Sequence, residues 1–124
     1  MITRVHSTTI VVRDQDKALD FYVNTLGWTK SIDNQMGPEM RFLTVVPPGG
    51  GAEVAIGQPG WLGREPGGET GISLISDDID GDYERLSAAG VTFTQPVEAM
   101  PWGGKGTHFQ DPDGNAFFLA DEPK

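Results

Sequence analysis

A chain of 124 residues is long enough for one compact domain with a core of its own. Its 9 Lys and Arg stand against 18 Asp and Glu, a formal net charge of −9, so it lacks the basic footprint of a nucleic-acid binder. Cysteine is absent, which excludes disulfides and thiolate zinc sites. No apolar run reaches the roughly 18 residues that span a bilayer, and the opening MITRVHST carries no signal-peptide segment. A cytoplasmic protein is expected.

Residues 5–12 are rich in Val, Ile and Thr and predict a strand. Asp14 or Asp16 then offers a helix cap, accepting from backbone N–H groups that the first turn leaves unpaired. Ala18, Phe21, Tyr22, Thr25 and Leu26 recur at helical spacing, and Gly27 supplies the stop. Strands follow at 28–32, 40–46 and 52–56, the last two joined by a Pro-Pro-Gly-Gly-Gly turn. The stretch GQPGWLGREPGG, 57–68, has the composition of a linker. The second half begins with a strand at 70–75 and a cap at Asp77 or Asp78. Ile79, Tyr83, Leu86 and Ala89 make a helical stripe that Gly90 ends. Strands at 91–94, 107–109 and 116–120 complete it. Trp102–Gly106 forms a loop, Asp111–Asn115 a hairpin turn, and DEPK a frayed tail.

The two halves have one grammar. VVRDQDKALDFYVNTLGW (11–28) and LISDDIDGDYERLSAAGV (74–91) each run strand, acidic turn, amphipathic helix, glycine stop and new strand. The prediction is an α+β fold of two βαβββ modules, 1–57 and 69–122, with 58–68 as linker in a single domain of 1–124. Two such curved mixed sheets suit a cavity.

These residues, with FQDPDGNAFFL near the end, resemble the vicinal oxygen chelate superfamily, which includes glyoxalase I, extradiol dioxygenases, fosfomycin-resistance enzymes and bleomycin-binding proteins. The resemblance covers nearly the whole chain. It implies paired modules around a cavity, often in a homodimer. It leaves activity open, because the fold hosts both enzymes and pure binders.

The family's enzymes hold a divalent metal at four strand positions. Carried onto this chain, those positions are Ser7, Glu53, Gly71 and Phe118. Glycine and phenylalanine offer no ligand atom, and serine is a poor one, so the resemblance implies a retained fold without its usual metal site. An alternative set of His6, Glu53 and His108 would need His6 to turn inward against the alternation of its strand. A divalent metal is therefore possible but not favoured.

No nucleophile elbow occurs. Trp102–Gly106 is Gly-rich but lacks the strand–loop–helix setting of a phosphate cradle. Lys105 reads as a solvated charge, and Asp111 and Asp113 as turn residues. The aromatic residues carry more. Trp61 and Trp102 fall outside any core strand, whereas Phe42 and Phe118 fall on strands. Met36, Met40 and Met100 can adapt a wall to an irregular guest, or simply pack.

The expected ligand-binding set is Ser7, Phe42, Glu53, Trp61, Trp102, His108 and Phe118. The expected guest is a small planar aromatic compound, cationic or neutral, such as an antibiotic, sequestered by stacking and area burial. The competing core reading buries Trp28, Phe42 and Phe118 and lays Trp61 over a dimer seam. The alternative function is a glyoxalase- or dioxygenase-type enzyme. It would use the His6, Glu53 and His108 metal set, or Glu53 as a general base with a burial-raised pKa. A homodimer is expected, with neither nucleic acid nor membrane as partner.

Overall fold

The computed structural model describes residues 1–122 and divides into two units, Met1–Gly67 and Gly68–Lys124. No helix among the described residues is long and apolar enough to cross a membrane. Of the expected tail, Asp121 ends a strand, and Pro123 and Lys124 lie outside the described residues.

The first unit runs β1 (Ser7–Val11), α1 (Gln15–Asp20), a π-helical turn (Phe21–Thr25), β2 (Thr29–Gln35), β3 (Arg41–Val46) and β4 (Glu53–Gly57). The sheet order is β1-β4-β3-β2, with β1 parallel to β4 and the other pairs antiparallel. Asp14 is the helix cap: its side chain accepts from the backbone N–H groups of Asp16 and Lys17. Gly27 takes the positive φ, +81°, that ends the helical stretch, a conformation open to glycine at little cost. Ala18, Phe21 and Tyr22 are buried, as their spacing predicts, with Ile10, Val12, Leu43, Val45, Val54 and Ile56. Tyr22 packs on the buried Trp28 at 5.3 Å between ring centroids.

The segment after β4 is ordered by contacts of its own. Trp61–Gly63 forms a 3₁₀ turn in which Leu62 takes a left-handed φ of 56°. Arg64 donates a hydrogen bond from Nη1 to the Thr9 carbonyl at 2.9 Å.

The second unit runs β5 (Gly68–Ser76), α2 (Ile79–Ala88), β6 (Thr92–Phe93), β7 (Glu98–Ala99), β8 (Lys105–Gln110) and β9 (Asn115–Asp121). Its order is β5-β9-β8-β6, with β7 also pairing β8 and β5 parallel to β9. Asp78 caps α2 through Gly81 N–H. The buried Phe109 and Phe117 end an aromatic run that starts at the half-buried Tyr83 of α2 and Phe93, with centroid spacings of 4.5, 5.8 and 5.3 Å. Asp111 is buried and accepts from the N–H groups of Asp113 and Asn115 and from the Asn115 amide, so it is the turn residue its sequence predicts.

The first unit follows the βαβββ plan, the second adds the short strand β7 to it, and each sheet is mixed. The strand expected at 91–94 is β6, and the structure adds beyond it a short strand β7 that the sequence reading does not place. Pro96 stands between them, and a residue without an N–H cannot continue a ladder. The predicted loop at Trp102–Gly106 is a tight turn that closes at Gly104, where Met100 N–H donates to its carbonyl at 2.7 Å. Lys105 and Gly106 already belong to β8.

Candidate functional site

In the first unit one sheet face gathers the predicted residues. Ser7 of β1 pairs in register with Glu53 of β4, and Thr44 of β3 with Ala55. Paired residues share a face and alternate residues return to it, so Ser7, Phe42, Thr44, Glu53, Ala55 and Gly57 all lie on this one.

Glu53 is fixed there by hydroxyls. Thr44 Oγ1 donates to Glu53 Oε1 at 2.6 Å and accepts from Ile32 N–H at 3.1 Å, so a fully buried threonine is satisfied on both sides. A register shift between Lys30 and Ile32 bulges β2 at Ser31, whose side chain adds to the pull of Thr44 on the Glu53 carboxyl. The Thr44 hydrogen bond, then the Ser31 side chain, holds the Glu53 carboxyl below its ordinary range, with His6 and Arg4 adding to the effect. This corrects the general-base reading, which needs burial to raise the pKa. Hydrogen bonds to the charged form win, and Glu53 is a fixed anion.

His6 also departs from expectation. It precedes β1, so strand alternation does not constrain it, and its Nε2 reaches 3.8 Å from Glu53 Oε2. No strand bulge is needed. Trp61 folds back over the same face, against Gly57, and stacks beside Phe42 with ring centroids 6.4 Å apart and planes 27° apart. Phe42 and Trp61 are half-buried, so neither is a core residue, whereas Trp28 is.

In the second unit Phe118 of β9 pairs with His108 of β8 and with Ser73 of β5, which puts the three on one face. The His108 ring lies 5.1 Å from that of Phe118, and Trp102 meets Phe118 edge-on at 6.0 Å. Ile75 shares the face through its pairing with Ala120 and is 53% exposed; Trp102 is 62% exposed. Met100 packs its methyl against the same ring cluster, whereas Met36 and Met40 are exposed at the β2–β3 hairpin. Lys105 pairs with Asp80 at 2.6 Å, a contact that raises its pKa; this makes it an ion-pair partner rather than a base.

The predicted residues thus form two groups: Ser7, Phe42, Glu53 and Trp61 in the first unit, and Trp102, His108 and Phe118 in the second. Gly71 belongs to neither. It is exposed at φ +73° inside a register shift of β5, and the residue opposite Phe118 is Ser73. Counting back from the helix cap cannot see that irregularity. The correction adds no ligand, because a serine replaces a glycine. Glu53 remains the single carboxylate or imidazole among the family's metal positions, and Phe118 puts a phenyl ring at another. Among the described residues no three His, Asp or Glu side chains form a group that could hold a metal ion. The donors at these positions do not fit a divalent cation.

The model for the Glyoxalase/Bleomycin resistance protein/Dioxygenase superfamily matches residues 4–119. A superfamily member from Sphaerobacter thermophilus DSM 20745, of known crystal structure, is 63% identical; the match covers 98% of this chain and 99% of that one, with a TM-score of 0.94. TnmS3, an antibiotic binding protein from Streptomyces sp. CB03234, is 35% identical over 99% of this chain and 98% of its own, with a TM-score of 0.85. The uncharacterized protein YetH of Bacillus subtilis (strain 168) is 32% identical over 96% of this chain and 98% of its own length.

Proposed function

The chain belongs to the Glyoxalase/Bleomycin resistance protein/Dioxygenase superfamily, and from that premise we propose that it is a small-molecule binding protein that sequesters a planar aromatic, cationic compound of the antibiotic kind without a metal and without turnover. The observation that carries this reading is a charged Glu53 on the same sheet face as the Phe42–Trp61 pair. An aromatic pair attracts a flat guest by area and stacking, and its ring faces attract positive charge. A fixed carboxylate adds a partner for an ammonium or amidine group. In the second unit the Trp102, His108 and Phe118 cluster offers an aromatic surface of its own. The likeness to an antibiotic binding protein supports the same class of ligand. The protein is further proposed to work as a homodimer, a reading supported by the exposure of Ile75 and Trp102 on one sheet face.

The test is a titration of planar aromatic cations, headed by proflavine, followed by tryptophan fluorescence. Trp61→Ala and Trp102→Ala are each expected to weaken binding about tenfold, the size of roughly 1.4 kcal/mol of lost contact, with unchanged circular dichroism. Equal affinity in both variants would sink the stacking model. Metal content of untagged protein, before and after Ni²⁺, Zn²⁺, Mn²⁺ and Fe²⁺ are offered, is expected to stay far below one ion per chain. About one tightly held ion per chain would overturn the binder in favour of metal-dependent chemistry.

A further inference from the structure

Two strand glycines lie directly behind these rings without a backbone reason to be glycine. Gly57 ends β4 and Gly106 is the second residue of β8; both are buried, and neither has a positive φ. A glycine inside a strand gives up packing and chain stiffness, and often marks the close approach of another group.

Here that group is visible in both units. A Cβ added to Gly57 would lie 3.0 Å from Cγ of Trp61, 3.1 Å from its Cβ and 3.3 Å from its Cδ2. A Cβ added to Gly106 would lie 2.7 Å from Cζ of Phe118, 2.8 Å from its Cε1 and 2.7 Å from Cε of Met100. Gly49, also without positive φ, would meet nothing within 4 Å. The two seats fall on different strands of the repeat, β4 in one unit and β8 in the other. Each serves whichever strand its ring crosses.

We infer that Gly57 and Gly106 are positioning residues that set the depth of the aromatic walls. Each lets a ring rest against bare strand backbone and so leaves the space above the ring to a guest. A methyl group at either position lifts the ring by a few tenths of an ångström or turns it off its rotamer. A flat guest, whose stacking depends on ring-to-ring separation, is sensitive to that lift. The ligand half of this inference rests on the proposed binding function; the seating half does not.

The experiment is a pair of double-mutant cycles with urea unfolding as the ligand-free readout: Gly57→Ala with Trp61→Ala, and Gly106→Ala with Phe118→Leu. Each glycine variant is expected to lower the unfolding midpoint when its ring is present, and to lower it far less when the ring is gone. Additive cycles would overturn the seats. Should Gly106→Ala fail to fold, Gly106→Ala/Phe118→Leu is expected to fold as Phe118→Leu does; a double variant that also fails would overturn that seat. In folded variants the proflavine dissociation constant is expected to rise about tenfold, with Gly49→Ala unchanged. Undiminished affinity alongside non-additive cycles would overturn the ligand half. A wild type that binds none of the planar cations would remove the proposed function, and non-additive cycles would then still establish the seats.

Discussion

Glu53 differs from a surface carboxylate through two hydroxyls rather than through burial. Thr44 holds it from the next strand, and the bulged Ser31 from the strand beyond. Removing the larger contribution with Thr44→Val is expected to raise the Glu53 pKa toward its ordinary value. Carboxyl NMR titration would then show the charge lost at higher pH than in the wild type, and cation binding should fade at correspondingly higher pH. An unmoved titration would place the control of this charge elsewhere. The residue types at the site were legible in the sequence, and their neighbours were not. The resemblance names Ser7 and Glu53 as two of the metal positions, and the β1–β4 register sets them side by side. Strand alternation turns His6 away from Glu53, yet the strand starts one residue later and frees its ring to approach that carboxylate. A count back from Asp78 lands on Gly71, but the strand slips its register and Ser73 stands opposite Phe118 instead. A bulge obeys no side-chain periodicity, so a count along the chain passes over it.

At the scale of elements, Arg41 fastens the first helix to the far edge of its sheet. Its guanidinium reaches Asp33 of β2 through Nε at 2.8 Å and Nη2 at 2.9 Å, and Asp16 of α1 through Nη1 at 2.7 Å. From the helix, Gln15 donates to the Arg41 and Ile56 carbonyls. The Arg41 hydrogen bond brings the Asp33 carboxyl down from 3.8 to about 2. A carboxyl with a depressed folded-state pKa stabilises the fold above its unfolded value and loses that stabilisation as pH falls through the folded one. The expected loss therefore lies between about pH 4 and pH 2. Arg41→Met should cost about 1 kcal/mol at neutral pH, since the pairs are partly solvated, and should flatten stability across that acid window. Urea midpoints measured from pH 2 to pH 7 would check both. The helices are legible because capping and apolar stripes are local patterns: Gly27 and Gly90 end them as expected, and of the two candidates at each cap Asp14 and Asp78 are the ones used. The π-helical turn at Phe21–Thr25 is not, because a wider turn leaves the same apolar residues on the buried side.

For the whole molecule, the legible feature was the repeat. Two units built on one strand plan, the second with the short extra strand β7, follow from two stretches with the same grammar. Assembly is a separate question, because no periodicity encodes it. Sedimentation equilibrium is expected to give twice the chain mass, and Ile75→Asp, which puts a charge on the exposed face of β5, is expected to shift the protein toward single chains. A wild type that sediments as one chain at tens of micromolar would remove the homodimer.

The Arg64 contact with Thr9 bears on how this protein survives at high concentration. β1, STTIV, ends the order of its sheet, is uncharged and rich in β-branched residues, and turns alternate carbonyls away from β4. Arg64 occupies one of them with a charged, bulky group that a docking strand would have to evict. The segment after β4 thus acts as a guard against templated strand addition. Arg64→Ala is expected to leave the fold in place and to raise turbidity and thioflavin-T signal on gentle heating, an effect that a Lys substitute at the same position should largely suppress.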